Sequence, residues 1–457
     1  MKRWLLIITL LLLAALALVA CGGDTATEEP AEEPAAEEPA AEEPAEEPAE
    51  EPMGETVTVD VWYHSGQVEE RDVLLEAFGD EFAAANPNIE LNLVQLPEGS
   101  YNEQVQAAAV AGELPCVLDF DGPNVYNYVW GGYLMPLDDY FTASELSDFL
   151  PSIIEQGTYQ DGKLYSLGQY DSGLAIWGHK SYLEAAGVRI PTVDDPWDRA
   201  EFEAALEALA ALPETEYAID LKMNYAQSVP SEWLTYGFSP ILQSFGADLI
   251  DRETYATAEG VLNGDAAIEA MTMIQGWFEN GYANANPADD TCFTSGACAL
   301  AYVGHWTTNS HIDAVGDDLV LLPMPDFGNG PKAGMGSWNW GLTTQCEVPN
   351  AAAEVLHYLL TPEAIQDMTA LNGAVPARVS VLQADERYQE GGLLYTFMQQ
   401  LNQGWAVPRP ITPAYPTITA AFSVAFKNIA NGADVIDELD AAVDKIDDDL
   451  AANDFYK

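Results

Sequence analysis

Thr56-Val57-Thr58-Val59-Asp60-Val61-Trp62-Tyr63 alternates polar and apolar side chains, the period-two pattern of a strand with one buried face. From Val68 to Ala85 the period changes. Val73, Leu74, Ala77, Phe78, Glu81 and Phe82 recur roughly every 3.6 residues, which predicts a helix, and Asn86-Pro87-Asn88 stops it. Ile89-Glu90-Leu91-Asn92-Leu93-Val94 reads as a second strand and Tyr101 to Ala111 as a second helix, ended by Gly112. Pro115-Cys116-Val117-Leu118-Asp119-Phe120 reads as a third strand, opening into Asp121-Gly122-Pro123-Asn124. Strand, helix, strand, helix, strand in so short a span predicts a parallel, layered α/β lobe. Ligands of such sheets bind beyond the carboxyl ends of the strands. Here those ends are Trp62-Tyr63-His64-Ser65 and Asp119-Phe120-Asp121-Gly122.

The amino terminus follows another pattern. Met1-Lys2-Arg3 is basic, Leu5 to Ala20 is apolar apart from Thr9, and Leu18-Val19-Ala20-Cys21-Gly22-Gly23 resembles a bacterial lipobox. The resemblance implies a signal peptide over 1–20 and a lipidated Cys21, which places the protein on the outer face of the cytoplasmic membrane, held there by acyl chains alone. Residues 21–54 are the lipidated Cys and a tether of Glu, Pro and Ala. The tether has nothing large and apolar to bury and is expected to be disordered, reaching on the order of 100 Å. No later run is long and apolar enough for a membrane helix.

Residues 53–457 exceed one ordinary core, so two lobes are expected. The net charge is −58, and most of the excess lies beyond the tether. Nucleic acid and anionic lipid are therefore excluded as partners. Four Cys remain outside the lipobox, and in an oxidising exterior an even count suggests disulfides. Cys292 and Cys298 enclose a short loop suited to local pairing, which leaves Cys116 with Cys346. His64, His179, His305, His311 and His357 are scattered and no CxxC pair occurs, so neither a zinc site nor a cofactor is expected.

Taken together, the order of motifs resembles the extracellular sugar-binding lipoproteins of ABC importers, of the maltose- or multiple-sugar-binding type. The first strand ends in aromatic-His, the next helix in Phe-x-x-x-Asn-Pro, and Gln106-x-Ala-x-Ala-Gly112-x-x-Pro115-x-Val117 follows. Gly162-Lys163-Leu164-Tyr165 leads into Ala175-Ile176-Trp177-Gly178-His179-Lys180, where Gly178-His179 replaces the common Tyr-Asn. Gly304-His305-Trp306, Pro349 to Ala364, Gly373 to Arg378 and Arg409-Pro410 to Tyr415-Pro416 complete the series. The resemblance implies a periplasmic-binding-protein type II fold, α/β, with two lobes and a ligand cleft between them. It puts lobe 1 at 55–170 plus 340–376 and lobe 2 at 175–334 plus 380–457, with crossings near 170–175, 334–340 and 375–380. It further implies a monomeric receptor that closes on its ligand and docks on the transmembrane subunits of an ABC permease.

A sugar presents flat CH faces and a fringe of hydroxyls. Its site needs aromatic platforms, with carboxylates, amides and Arg for the hydroxyls. By position in the resemblance Trp306 and Trp405 are the first platforms, followed by Trp62 and Trp340. Trp177 is assigned to the core. Asp121, which could instead serve as a turn former, and Asp171 at the first crossing are the leading polar partners. His64 at a strand end could also cap or pack. Asn339 offers an amide. Arg378 either binds ligand or clamps the hinge by a salt bridge. Glu232 beside Trp233 and Tyr236 is expected to line lobe 2.

An enzyme is not expected. No Gly-x-Ser-x-Gly, His-Glu-x-x-His or P-loop string occurs, and among so many carboxylates a glycosidase-like pair carries no information. An importer subunit for a polyamine, peptide or other cationic solute is the alternative, since an acidic aromatic cleft also suits a cation. Asp289-Asp290 and Asp447-Asp448-Asp449 lack a calcium-loop pattern and read as solvated charge.

Overall fold

Alternation along Val57–His64 puts Val59, Val61 and Tyr63 on a buried face and leaves Thr58 and Asp60 exposed, which makes this segment strand β1. The computed structural model describes residues 56–64 and 81–457. Cys21, the signal segment, the tether and most of the helix expected over Val68–Ala85 lie outside the described residues. The described end of that helix, Phe82–Ala85, is helical.

The first sheet runs β10-β3-β1-β2. Strand β2 (Ile89–Leu96) lies parallel to β1, with Val57 opposite Ile89 and His64 opposite Leu96. Strand β3 (Val117–Asp121) is parallel to β1 on the other side. The helix between β2 and β3, Tyr101–Ala111, ends at Gly112 in the left-handed conformation that glycine adopts without a steric penalty. The fourth strand comes from far along the chain. Strand β10 (Trp338–Leu342) is antiparallel to β3, pairing Trp338 with Asp121 and Leu342 with Val117. The lobe is therefore mixed rather than wholly parallel, because the chain re-enters it from the second lobe. A disulfide, Cys116–Cys346, staples the same two strands just outside their paired residues.

The second sheet runs β6-β7-β5-β8. Its strands are β5 (Leu174–His179), β6 (Tyr217–Asp220), β7 (Cys298–Gly304) and β8 (Leu319–Leu322). Every residue of β5 and β7 is buried, the signature of strands covered on both faces. Trp177 belongs to this core, as its sequence context indicates. Helices Glu232–Ser244, Asp265–Glu279, Tyr415–Ala430 and Val435–Ala452 pack on one another, and the first meets the sheet where Phe238 packs on Tyr302 of β7. The last of these starts on Asp434, whose carboxylate accepts from the Ile436 and Asp437 N–H groups. Cys292 pairs with Cys298 at the start of β7.

Short pairings join the two sheets. Strand β4 (Tyr170–Asp171) is antiparallel to β11 (Val375–Pro376), and β9 (Ala333–Gly334) is parallel to β12 (Ala406–Val407). Strand β10 begins at Trp338, within the span expected for the second crossing. After the third crossing the Val379 N–H donates to the Asp148 carbonyl at 2.7 Å, at the start of helix Val379–Ala384.

Candidate functional site

Asp121 ends β3, where the first sheet opens toward the second. Its carboxylate is buried and takes a two-pronged bond from Arg409, at 2.5 Å from Nη1 and 2.6 Å from Nη2. The same Nη1 reaches Glu232 Oε1 at 2.6 Å. Glu232 begins the Glu232–Ser244 helix of the second lobe, so one guanidinium bridges a carboxylate from each lobe. Tyr415 and Thr419, on the Tyr415–Ala430 helix, donate hydroxyls to Glu232, Thr419 at 2.7 Å. The Tyr236 ring lies under the guanidinium, 4.7 Å from its carbon. Gly122 lets the end of β3 close on β10: a Cβ there would stand 2.9 Å from Asn339 Nδ2.

Charge inside this cluster is set by opposing effects. Burial pushes Glu232 upward and the Arg409 charge pulls it down. Burial would ease the proton off Arg409, but Asp121, Tyr415 and Glu232 more than offset it and hold the guanidinium firmly charged. Burial also raises the Tyr236 and Tyr415 phenols, which stay neutral hydrogen-bond donors.

In the second lobe Trp306 follows β7 directly. A Cβ on Gly304 would meet the Trp306 ring at 2.1 Å, so only glycine allows the indole to fold back over the strand end. The ring packs near Trp233 and Tyr236, with centroids at 6.0 and 6.2 Å. Its N–H points to the Tyr225 hydroxyl at 3.4 Å, and Tyr225 in turn donates to Asp290 at 3.3 Å. Behind them Lys222, only 1% exposed, sits between Asp290 at 2.5 Å and Asp220 at 2.9 Å. Burial alone would lower the Lys222 pKa; the two carboxylates outweigh it and raise it. Lys222 also holds a left-handed φ of +53°, a strained conformation for a side-chain-bearing residue.

Asp171 lies at the crossing itself. Its Oδ1 accepts from the Ser172 N–H at 2.9 Å and the Gly336 N–H at 3.2 Å, tying one crossing to another, and burial raises its pKa. Tyr236 donates to Ser172 Oγ at 2.8 Å, which joins the second lobe to the same point.

Other residues singled out from the sequence have packing partners. Trp340 is buried and its N–H donates to Gln169 Oε1 at 3.1 Å. Trp233 is buried and its N–H donates to the Leu221 carbonyl at 3.0 Å. Asn339 is buried and donates to the Ser337 carbonyl at 2.9 Å. His64 pairs with Asp119 and stacks on Trp338 at 3.6 Å. Trp62 is half-buried on the first lobe, with its carbonyl facing the Tyr101 hydroxyl at 3.4 Å. Trp405 is half-buried just before β12, and its carbonyl accepts from the Ala333 N–H at 2.9 Å. Arg378 turns away from the bridge. Its Nε donates to the Leu360 carbonyl at 2.7 Å, its Nη1 stands 3.5 Å from Asp148, and its guanidinium covers the Phe149 ring at 4.3 Å.

The structure thus brings Asp121 and Glu232 together, and Trp306 with Trp233. Tyr225 and Lys222 were not singled out; Tyr236 was named only as a neighbour of Glu232, and Arg409 and Tyr415 only as the ends of a motif with no site role. A further signal for Arg409 was rarity: an arginine in a chain with 16 basic residues against 74 acidic ones. Among the described residues no cluster of His, Cys, Asp and Glu could hold a metal, and no helix is long and apolar enough to cross a membrane.

A family profile described as bacterial extracellular solute-binding protein matches residues 77–395, well over half of the chain. A maltotriose-binding protein of Pyrococcus abyssi is 23% identical over 364 residues, covering 77% of this chain and 73% of that protein. The GacH receptor of Streptomyces glaucescens, solved unliganded and with acarbose, superposes with a TM-score of 0.71 at 22% identity, covering 88% of this chain and 98% of that one. An ABC substrate-binding protein of Listeria monocytogenes, solved with cycloalternan, gives 0.74 at 17% identity, covering 87% and 100%. At these identities the two structures speak for a shared two-lobed fold.

Proposed function

The chain belongs to the bacterial extracellular solute-binding protein family, and from that premise we propose that it is a non-catalytic receptor for a sugar or oligosaccharide, anchored through Cys21 outside the cytoplasmic membrane and delivering its ligand to an ABC permease. The observation that carries this reading is the Asp121–Arg409–Glu232 bridge. It sets hydrogen-bonding charge from both lobes at one point, beside the aromatic floor of Trp306 and Tyr236. Sugar hydroxyls suit carboxylates and a guanidinium, and CH faces suit the indole. The ligands named for the Pyrococcus, Streptomyces and Listeria proteins, all sugars or sugar-like, support the same class.

The mechanism is a shift between open and closed lobes. A ligand touching only one lobe binds both states alike and shifts nothing. A ligand that engages Asp121 on one side and Glu232 or Trp306 on the other adds contacts only on closure, and so favours the closed form. Arg409 also weighs against a cationic solute, because a guanidinium already stands between the two carboxylates such a solute would need. The receptor acts as a monomer that hands its ligand to the permease.

Thermal unfolding of the purified full chain against sugars, polyamines, amino acids and metal ions tests the reading. A ligand that binds only the folded state raises the Tm with its concentration. A rise with one sugar class is expected. A rise with amines or metal ions and none with sugars would overturn the substrate class.

A further inference from the structure

We propose that Lys222 is a positioning residue for the ligand platform: through Asp290 and Tyr225 it fixes the orientation in which the Trp306 indole meets a sugar. This rests on the sugar-receptor reading above and adds to it a buried charge that itself touches no ligand.

Strand direction brings the parts together. Strands β6 and β7 are parallel, with Asp220, the last residue of β6, opposite Ala301. Their carboxyl ends therefore lie on one edge of the second sheet, where Lys222 follows β6 and Trp306 follows β7. Lys222 holds Tyr225 at two points. Its carbonyl accepts from the Tyr225 N–H at 3.0 Å. Its ammonium donates to Asp290 Oδ1 at 2.5 Å, and the other oxygen of that carboxylate accepts from the Tyr225 hydroxyl at 3.3 Å. The hydroxyl in turn accepts from the Trp306 N–H at 3.4 Å. The chain of bonds thus runs in one direction, from indole to phenol to carboxylate, and ends on the ammonium. The same turn serves the neighbouring indole as well. Trp233 donates its N–H to the Leu221 carbonyl at 3.0 Å and stands edge-on to Trp306 at 88°.

The conformation of Lys222 argues that its side chain is used. The residue is buried at a φ of +53°, which glycine adopts freely and lysine rarely. A turn that needed only this backbone would be served by glycine. Stability is a weak reason for the ammonium, because apolar residues of like volume often replace a buried ion pair without loss. Asp220 alone would also satisfy it: its two oxygens go to the Lys222 N–H at 2.8 Å and the ammonium at 2.9 Å. Asp290 is exposed and could remain in water. Instead its loop is braced, with the Asp289 carboxylate accepting from the Thr291 N–H at 3.0 Å and hydroxyl at 2.6 Å. One Asp290 oxygen is drawn onto Lys222 and the other is left for Tyr225. Burial raises the Tyr225 phenol, so it keeps the proton it donates. An indole held in this way before a ligand arrives has less side-chain freedom to lose on binding.

The test combines tryptophan emission with calorimetric titration of the purified full chain by linear gluco- and manno-oligosaccharides of one to four rings. Each variant is also made with Trp306→Phe, so that the difference in emission reports Trp306 alone. Lys222→Gly suits the left-handed backbone and removes the ammonium. Asp290→Ala, at an exposed position, cuts the chain while Lys222 keeps Asp220. Both should shift the Trp306 emission and weaken the sugar about threefold, the size of one lost hydrogen bond. Added to Tyr225→Phe, Asp290→Ala should change neither quantity further, because the chain is already cut. Should Lys222→Gly fail to fold, the Asp290 and Tyr225 variants decide. Losses that add in the double variant, or an unchanged emission or affinity in Asp290→Ala, would overturn the positioning role and leave the receptor reading standing. A wild type that binds none of these sugars would overturn both.

Discussion

The crossing pair β4–β11 and the Asp121–Arg409–Glu232 bridge both connect the lobes, with opposite chemistry. The crossing is made of backbone: Val375 pairs with Asp171 and Pro376 with Tyr170, and the Asp171 carboxylate accepts from the backbone N–H groups of Ser172 and of Gly336 on the next crossing. Nothing in it requires the lobes to be closed. The bridge is made of side chains far apart in sequence, Arg409 being 288 positions from Asp121 and 177 from Glu232. It joins residues of both lobes at one point. On the proposed receptor reading, the crossing sets where the molecule bends and the bridge sets how strongly the closed form is favoured.

Arg409→Met should give the largest effect. It leaves the buried Asp121 carboxylate facing the partly exposed Glu232 carboxylate with no charge between them, and breaking a buried ion pair from one side costs about 3–5 kcal/mol. Urea unfolding should show a loss of that size. A loss below about 1 kcal/mol would mean that the bridge contributes no more to stability than the crossing does.

A pH dependence comes next, from a group belonging to neither connection. Burial holds His311 down at about 3, against Phe293 and Trp177 in the second lobe. Its folded pKa lies below its unfolded one, so the stability it contributes is full above pH 6.5 and is lost as pH falls toward 3. The loss between pH 7 and 4 is on the order of 3 kcal/mol. His311→Leu should flatten that part of the stability–pH curve relative to wild type. An unchanged difference between the two proteins across this range would show that His311 takes its proton without unfolding.

Ligand affinity should fall about tenfold or more for Trp306→Ala, since a platform carries both stacking and buried area. Tyr225→Phe removes only the hydroxyl beneath the indole N–H and should weaken binding about threefold, with a shifted tryptophan emission and an unchanged Tm. The smallest effect belongs to the crossing. Burial already disfavours the Asp171 charge, and an amide oxygen still accepts the two N–H bonds. Asp171→Asn should therefore change stability at pH 7 by less than about 1 kcal/mol. A larger loss than for Arg409→Met would reverse the comparison.

Much of the frame was legible in the sequence. Strands β1 and β2 and the Tyr101–Ala111 helix show as local periodicity, because each turns one face of its own segment inward, and β3, buried along its whole length, shows as a short apolar run. Both disulfide pairings followed from loop length and the partner left over. Strand β10 could be placed in the first lobe only through the resemblance, and its antiparallel sense was hidden, since direction depends on where a distant crossing re-enters. The same distance hides most side-chain partners. Asp121 stands at the end of its own strand, a local property. The N–H groups of Trp340 and Trp233 find Gln169 and Leu221, partners that only the folded chain supplies. Arg378, beside a crossing, meets Leu360, Asp148 and Phe149. Arg409 shows in sequence only as the start of a motif, and nothing local tells that it meets Asp121 and Glu232.

The most direct test of the account is calorimetric titration of the purified full chain, alongside Trp306→Ala, with the sugar class that raises the wild-type Tm. The account predicts saturable one-to-one binding to wild type and a loss of about tenfold or more in the variant. Equal affinity in the two proteins, or no heat from any sugar, would contradict it.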